Sequence, residues 1–318
     1  MAERAELYAN TYDDPNYLGE LFLIGANQTP FLNMIGGLGG GRTKVTRSFS
    51  FPISQPWSLA GASQPAITEG ESVTGQNATT TTRAQETNTV QIFQKTVEVS
   101  YAKQSEIGAI EGIASVATTA GQPVTDELAF QKMAQLKQVA VDANFSFLNG
   151  AYQAKGDVDV AAKTRGIITA CVGNNEVKAS ATDLSKALIQ GLLRAMAAAG
   201  AVFENPVLLC NALNKQRISD IYGYAPESRN VGGLNIEQIY TDFTKLGVVY
   251  DPSVPADTVL IADMAYVFPV VCPVQGKTVF YEDKAAAGAS KKGQIYGQLG
   301  IDYGPKEYHG IITGLTTS

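Results

Sequence analysis

A glycine-rich segment near the start of the chain has the spacing of a phosphate-binding loop. It runs from Gly36 to Gly41 and is followed by Arg42 and Thr43. Phosphate binding by such a loop needs a lysine where Arg42 stands, and a helix N-terminus behind it whose backbone N–H groups hold the phosphate. The residues after Thr43 alternate in the manner of a strand, so we expect no nucleotide site here.

Other residues of catalytic type lack the companions that their chemistry requires. Ser100 and Lys103 have the S-x-x-K spacing of some acyl-transfer enzymes, but the accompanying S-D-N and K-T-G elements are missing. The single histidine, His309, would be the only imidazole base, and no G-x-S-x-G motif accompanies it. Asp157 and Asp159 lie in no calcium-loop pattern and have no histidine or cysteine nearby. We expect no catalytic, cofactor or metal site.

Composition excludes further classes of protein. The 318 residues are 45% hydrophobic and carry a net charge of -6, an ordinary globular balance. Such a chain lacks the clustered lysine and arginine that would hold nucleic acid through many phosphates. Residues 1–16 have no apolar core of a secretory signal, and the longest apolar run, residues 259–274, is interrupted by Asp263 and two prolines. We therefore expect cytosolic synthesis and no membrane segment.

The cysteine pattern is typical of a reducing compartment. Cys171, Cys210 and Cys272 are odd in number, widely spaced and set in apolar segments. The pattern predicts buried thiols and no disulfide framework.

One long helix is the strongest secondary-structure signal. Residues 123–150 carry a helical pattern with Thr125 as N-cap and Asn149-Gly150 as exit. Apolar side chains recur every three or four positions along one face, at Ala129, Met133, Leu136, Ala140, Ala143 and Phe147. We predict a spine helix over about residues 125–149, with that face in an ordinary core.

Two strands with a long polar connection precede this helix. Alternating patterns predict strands over residues 43–53 and 89–101, with a bulge between Val90 and Val97. About 35 polar residues separate the two strands, which is unusual inside a compact domain. Two interpretations stay open, a surface insertion or an arm that finds its partners on a neighbouring copy.

Charged residues at the root and along the connection of this hairpin are candidate contacts. Three basic residues share the root, where alternate side chains point the same way, and two glutamates lie in the segment ITEGES. The basic cluster is either solvated surface or one half of a contact between subunits, with the glutamates as the other half. With the single tryptophan, the candidate assembly contacts are Arg42, Lys44, Arg47, Trp57, Glu69 and Glu71.

The remainder of the chain predicts a mixed α/β lobe and a set of terminal strands. Residues 182–199 form a second amphipathic helix, with an apolar face at Leu184, Leu188, Leu192 and Met196. The lobe continues with strands at 206–210, 247–250 and 259–262 and a helix near 215–222. From residue 277 onward, three strands are expected to pair antiparallel beside the spine helix.

The order of these parts resembles the major capsid proteins of tailed bacteriophages, which have the HK97-like fold. Several segments are similar to the SU10-type branch of that family: TPFLNMIG at residues 29–36, QIFQKTVEVS at 91–100, DELAFQKMAQLKQ at 126–138, FLNG at 147–150, TRGIITA at 164–170 and SKKGQIYGQLGIDYGPKEYHGIITGL at 290–315. These segments cover both ends and the middle of the chain, whereas residues 173–276 carry little that matches.

The resemblance implies an α+β subunit that builds a shell. Its parts would be an N-terminal arm (1–40), an extended loop (41–101), a peripheral domain with the spine helix (102–160), an α/β axial domain (161–275) and the C-terminal peripheral strands (276–318). Hexamers and pentamers would close into an icosahedral head around double-stranded DNA, which the acidic chain would contact weakly and non-specifically. Separate scaffolding, portal and decoration proteins are the further partners that the resemblance suggests.

Two features depart from some members of the family, and two alternative functions stay open. The hairpin begins near residue 41, which leaves no room for a built-in scaffolding segment, and its lysines, Lys44 and Lys95, lie near its base, which favours non-covalent assembly. An encapsulin-like nanocompartment of the same fold would enclose a protein cargo instead of DNA. A soluble α/β enzyme is poorly supported, because no acid/base pair, activated nucleophile or metal-ligand cluster is present.

Overall fold

A computed structural model shows a mixed α and β chain built around three sheets. It describes residues 28–38, 41–53, 57, 62–75, 78, 80–81, 85–105, 127–222, 227–231 and 234–317. The helices are α1 (Pro30–Met34), α2 (Glu69–Thr74), α3 (Tyr101–Ser105), α4 (Glu127–Asn149), α5 (Ile167–Cys171), α6 (Lys186–Ala198) and α7 (Ala212–Tyr222).

The strands follow the same chain order. They are β1 (Lys44–Val45), β2 (Ser50–Pro52), β3 (Thr87–Thr89), β4 (Gln91–Ser100), β5 (Glu176–Thr182), β6 (Pro206–Cys210), β7 (Glu227–Val231), β8 (Leu234–Tyr240), β9 (Lys245–Tyr250), β10 (Val259–Asp263), β11 (Phe268–Val271), β12 (Val279–Lys284), β13 (Ser290–Asp302) and β14 (Gly310–Leu315). A short 3-10 helix at Lys306–Tyr308 joins the last two strands.

The five-stranded sheet is organised around β13. β4 pairs antiparallel along one side of β13, while β12 and β11 pair antiparallel with successive parts of it in the order β1-β11-β13-β12. β1 pairs parallel with β11 at the edge. The spine helix α4 packs against β4 and β13, so this sheet and helix form one two-layer unit.

The seven-stranded sheet has the order β5-β14-β10-β6-β9-β8-β7. Its central strands β6 and β10 are buried at every residue, as expected for strands covered on both faces. Successive residues alternate between two apolar clusters: Leu209 and Leu260 join the cluster beneath α4, and Leu208 and Ile261 join the cluster beneath α6. The lobe is therefore a layered α/β structure.

The C-terminal strands divide between the two sheets, which corrects one prediction. β12 and β13 pair antiparallel beside α4 as expected. β14 instead pairs antiparallel with β10 and parallel with β5 in the seven-stranded sheet. The turn after β13 sends the chain across to the other layer, where Ile311 and Ile312 are both fully buried. Sequence alternation identifies a strand but not its partner.

The spine helix also corrects a prediction. Met133 and Leu136, expected in the core, are 50% and 49% exposed, and Ala129 is exposed as well. Among the described residues, only the C-terminal half of α4 is enclosed, because α1 and α5 pack around it there. The buried residues of α4 are Val139, Ala143, Asn144, Phe147 and Leu148. The predicted helix start at residues 123–126 lies outside the described residues.

In the part of the extended hairpin that the structure describes, only the root is paired. β2 pairs antiparallel with β3, with Phe51 opposite Asn88. The predicted bulge between Val90 and Val97 is wrong, because β4 pairs with β13 without a register shift. The interruption lies at Val90 itself, where β3 ends and β4 begins. Ile92 is simply an exposed residue on the outer face of β4.

The second amphipathic helix is confirmed but starts four residues later than predicted. Thr182 belongs to β5, and Ser185 caps α6 by accepting the N–H of Leu188. Gly200, at φ +88, ends the helix in the left-handed region. The buried face of α6 covers one side of the seven-stranded sheet, with Ile189, Leu192, Leu193 and Met196 at its centre.

Two glycines mark the closest backbone approach beside the spine helix. Gly166 N donates to Gly150 O at 2.8 Å where the end of α4 meets the start of α5. A Cβ on Gly166 would lie 2.5 Å from Leu148 O, and one on Gly150 would lie 2.3 Å from Thr164 O. Both neighbours are backbone atoms, so neither can move aside cheaply. The glycines of FLNG and TRGI are therefore required because no side chain fits at either position.

We predict that Gly166→Ala lowers the free energy of unfolding of the subunit by about 3 kcal/mol or more, because the added methyl group overlaps backbone atoms. The matched control is Gly191→Ala, a helical glycine of α6 with no atom within 4 Å of the added Cβ. That control should be neutral or stabilising by up to about 1 kcal/mol. Urea unfolding followed by circular dichroism measures both, and equal stability of the two variants would contradict the steric explanation.

Candidate assembly surfaces

The root of the extended hairpin is fixed by a buried asparagine. Asn88 is fully buried and donates its Nδ2 to Ile301 O (2.8 Å) and Arg165 O (3.1 Å). Its Oδ1 accepts the N–H groups of Arg165 (2.7 Å) and Thr89 (2.9 Å). One side chain thus joins β3 to β13 and to the segment before α5. Because all these polar groups are satisfied, the burial of Asn88 is tolerated and gives a fixed geometry.

A partly exposed ionic cluster surrounds the same root. Glu86 contacts Lys306 Nζ at 2.6 Å and Arg165 Nη1 at 3.3 Å. The guanidinium of Arg165 also lies over the ring of Tyr152, 4.7 Å from its centroid. Individual pairs of this kind contribute little, but together they restrain the direction in which the hairpin leaves the body.

Beyond its root, the described part of the hairpin has no core of its own. Residues 62–75 are exposed throughout, and α2 buries no residue. The helix is held by a capping box in which Thr68 Oγ1 accepts the Glu71 N–H and Glu71 Oε2 accepts the Thr68 N–H. These hydrogen bonds lower the pKa of Glu71. α2 is therefore a locally capped element that presents its side chains to solvent.

The predicted basic contacts occupy different environments. Arg42 Nη2 donates to the carbonyls of Met264 (2.6 Å) and Ala265 (3.2 Å), and Lys44 Nζ lies 2.6 Å from Asp302 Oδ2. Both cations are thus engaged within their own subunit beside the five-stranded sheet. Arg47 is exposed. Glu69 and Glu71 are both exposed on α2, and their contact with the basic residues of another subunit stays a prediction.

Several large apolar side chains are exposed on the hairpin and the spine helix. Trp57, Ile67 and Val73 are exposed along the hairpin. Met133 and Leu136 are exposed on the half of α4 that no described element encloses. Exposed apolar groups on the hairpin and the spine helix are candidates for contact surfaces between subunits.

A buried polar junction joins three distant segments of the chain. Asp251 Oδ2 accepts the N–H of Phe31 (3.2 Å), and Asn144 Oδ1 accepts the N–H of Leu32 (2.9 Å). Asn144 Nδ2 also lies within 3.1 Å of Asp251 Oδ2 and 3.0 Å of Ser253 Oγ. Asn144 and Asp251 are both fully buried. The start of α1, the spine helix and the loop after β9 are therefore held together by one cluster.

The comparisons with known proteins agree with this arrangement. The sequence profile of the SU10 major capsid protein family matches residues 5–316, nearly the whole chain. The chain belongs to the SU10 major capsid protein family. No curated protein sequence matches it.

Solved structures of similar fold include both phage capsids and a cellular shell. The cyanophage A-1(L) capsid has a TM-score of 0.58 at 16% identity, over 98% of each chain. The Mycobacterium phage Bobi structure has a TM-score of 0.55 at 14% identity, over 100% of this chain and 98% of the other. The SrpI encapsulin of Synechococcus elongatus PCC 7942 has a TM-score of 0.58 at 8% identity, over 99% and 96%. These likenesses establish the HK97-like fold, and the family match separates capsid from encapsulin.

As a member of the SU10 major capsid protein family, the chain is a phage capsid protein that assembles into a multimeric shell of the virion. Its family and its structural neighbours are structural proteins of capsids and shells. No helix in the described part of the chain is both long and apolar enough to cross a bilayer. The surfaces with which subunits meet are thus the functional sites to examine.

Ser100, Cys171 and Cys210 are residues of catalytic type that take part in a local hydrogen bond or in the core. Ser100 Oγ accepts the Lys103 N–H at 3.2 Å, at the start of α3. The described residues contain no group of three His, Cys, Asp or Glu side chains that could hold a metal ion. Burial raises the pKa of Cys171, and raises that of Cys210 to about 12, so neither thiol forms a nucleophilic thiolate at neutral pH.

His309 is a fully buried link between β10 and the turn after β13. Its Nε2 lies 2.5 Å from Tyr303 O, and its Nδ1 accepts the Asp263 N–H at 3.2 Å, which fixes the neutral tautomer with the proton on Nε2. Burial lowers the pKa of His309 to about 4. Burial also raises the pKa of the Asp263 carboxyl, although the N–H groups of Glu204, Asn205 and Ala265 oppose that effect.

Sequence reasoning missed the buried asparagines Asn88 and Asn144. Asn144 lies among the apolar residues of the spine helix, one position after Ala143, and a polar residue inside a buried stripe is a usable signal. Asn88 follows Thr87 in a polar stretch and carries no comparable signal. Its importance comes from Arg165 and Ile301, which are 77 and 213 residues away in sequence.

We predict that the unassembled subunit loses stability when the pH falls from 6.5 toward 4, because the unfolded chain binds a proton at its histidine before the folded chain does. The folded pKa near 4 corresponds to a loss on the order of 3 kcal/mol in the free energy of unfolding across this range. Between pH 6.5 and 5 most carboxylates stay ionised in both states. Asp263, whose pKa is raised by burial, has the opposite effect on stability, so a variant of His309 is needed to separate the histidine.

His309→Gln is the matched variant for this measurement. Its free energy of unfolding, measured by urea denaturation, should change less with pH than that of the parent chain between pH 6.5 and 5. Parallel pH profiles for the two proteins would show that His309 titrates alike in the folded and unfolded states.

Proposed function

We propose that hexamers and pentamers of this chain close into an icosahedral head around double-stranded DNA, and that the subunit itself has no catalytic role. The observation that carries the proposal is the extended hairpin. Its root is fixed by the buried Asn88, while residues 62–75 are exposed and carry an ordered, self-capped helix. An element whose root is fixed but whose side chains are exposed gains most of its packing by burying them against a neighbouring subunit.

The parts of the subunit take the roles that the family resemblance suggests. We assign residues 1–40 to an N-terminal arm, 41–101 to the extended loop, 102–160 and 276–318 to the peripheral domain, and 161–275 to the axial domain. The axial domains would meet around the five-fold and six-fold axes. The five-stranded sheet with α4 and the seven-stranded sheet with α6 support a division into two domains. Two strands cross the proposed boundary, since β11 joins the five-stranded sheet and β14 joins the seven-stranded sheet.

The proposed partners follow from charge and from the shell itself. A net charge of -6 suits a container whose contact with the packaged genome is weak and non-specific. A separate scaffolding protein, a portal and decoration proteins are the proposed protein partners. Synthesis would take place in the cytoplasm of the host bacterium, before assembly.

The content of the purified particle tests the function. Expression of the chain, with a scaffold where one is needed, should give closed shells in electron micrographs, and virions should hold nuclease-protected double-stranded DNA. A shell that encloses one defined protein and no DNA would instead identify a nanocompartment of the encapsulin type. A monodisperse monomer at high concentration would contradict both shell functions.

Deleting residues 61–82 should leave a folded subunit that does not form closed shells, because the exposed part of the hairpin adds nothing to the subunit core. Electron microscopy measures shell formation, and circular dichroism with urea unfolding verifies the fold. Gly191→Ala serves as a variant that changes the subunit without touching the hairpin. Normal shells from the deletion variant would remove the hairpin from the assembly contacts.

Replacing Glu69 and Glu71 by Lys should weaken assembly at low ionic strength, with a smaller effect in high salt. Glu71 also caps α2, so Glu69→Lys combined with Glu71→Gln tests charge with the capping box retained. Asp157→Lys with Asp159→Lys is the matched control, since both carboxylates are exposed in a turn outside the hairpin. Light scattering of assembling subunits gives the rate. Equal rates for all three would exclude a role for the two glutamates.

A further inference from the structure

Strand β4 presents an open edge. Tyr101, directly after β4, donates its N–H to Ala289 O at 3.0 Å and so continues the β4–β13 ladder. Successive residues of a strand direct their backbone groups to opposite sides, so the odd-numbered residues of β4 face β13. Val90, an even-numbered residue, donates its N–H in the other direction, to the residue before β2. Ile92 and Gln94 therefore direct their backbone groups away from β13, where no described strand pairs with them.

A groove of about 850 Å³ lies along this edge. Its lining comes from residues 91–95 of β4, from the C-terminal half of α4 and from residues 252–255. Ile92 and Phe145 leave 48% and 56% of their surfaces exposed there. Lys95 and Asp142, also in the lining, pair with each other at 2.9 Å. An open edge beside apolar side chains is a template for an additional strand, and a charge-compensated lining favours an apolar one.

The N-terminal segment of the chain enters the described structure beside this groove. Phe31 N–H bonds to Asp251, and Leu32 N–H bonds to Asn144. Asp251 and Asn144 directly precede groove-lining residues in sequence, Pro252 and Phe145. Gln28, the first described residue, is exposed. The start of α1 is thus anchored within a few residues of the groove.

The sequence before this entry point supplies an apolar strand-length segment. Residues 17–24, YLGELFLI, contain six apolar side chains and a single charge, at Glu20. The five residues between this segment and Pro30 can span about 17 Å when extended, enough to reach the neighbouring groove. The hairpin helix α2 fits less well as an occupant, because Glu69 and Glu71 would find no uncompensated cation among the paired charges of the lining.

We propose that residues 17–24 bind in this groove of the same subunit and add a strand to the open edge of β4. Backbone pairing with Ile92 and Gln94 would supply the hydrogen bonds, and the apolar side chains would cover Ile92 and Phe145. The N-terminal segment thereby protects an edge strand that would otherwise be available to any other extended chain. This role belongs to the unassembled subunit and does not depend on shell formation.

Residue-resolved amide hydrogen exchange on the unassembled full-length subunit tests the proposal. The amides of Ile92 and Gln94 should be protected, and Phe22→Asp should raise their exchange rates at least about tenfold. The Phe93 amide, which faces β13, should not respond. Ala9→Asp adds the same charge outside the apolar segment and should leave all these rates unchanged.

A variant on the groove side provides the second arm. Ile92→Lys should raise the exchange rate of the Gln94 amide at least about tenfold, whereas Val172→Lys, a similarly exposed residue outside the groove, should not. Rapid exchange at Ile92 and Gln94 in the parent chain, or no response to Phe22→Asp, would overturn the proposal. Protection that disappears on dilution would identify a second copy as the donor, and protection that disappears on deleting residues 61–82 would identify the hairpin. Either result also overturns it.

Discussion

The buried contact between Asn144 and Asp251 is the constraint on which the relative placement of the main parts depends. Both side chains are fully buried, and each is satisfied only when α1, the spine helix and the loop after β9 are in place together. The carboxylate also takes the place of an N-cap for α1, whose own Thr29 forms no side-chain cap. Because an unpaired buried polar group is costly, any rearrangement of one segment is transmitted to the other two.

Several surfaces of this subunit are not covered by its own described residues. Among the described residues, only half of α4 is enclosed, the hairpin is paired only at its root, and no strand pairs with the outer edge of β4. In a monomeric enzyme these would be aggregation hazards. In a shell subunit the exposed half of α4 and the hairpin are available for contacts between subunits, and Asn88 fixes the position of the hairpin root. Stability and function therefore share the same few buried polar contacts.

His309, Cys171 and Cys210 contribute to the structure of the subunit. His309 is held neutral between Tyr303 and Asp263, and Cys171 and Cys210 are buried among apolar side chains. These three residues are used for packing or for satisfying a backbone group. This agrees with a family whose members act through contacts between copies. The net charge of -6 does not favour tight binding to the phosphates of nucleic acid.

The sequence by itself determined the family and the strongly periodic elements, but not the short helices α2 and α5 or the strands β7 and β8. The 3.6-residue period identified α4 and α6, the two-residue period identified β4, β12 and β13, and FLNG and TRGI lie where Gly150 and Gly166 meet. Only the tertiary structure decided which helical face is buried, since Met133 and Leu136 have the right period but no covering layer. It also decided that β14 joins the seven-stranded sheet and that Asn88 and Asn144 hold the parts together. Periodicity is a local property, whereas burial, strand partners and polar junctions depend on residues a hundred or more positions away.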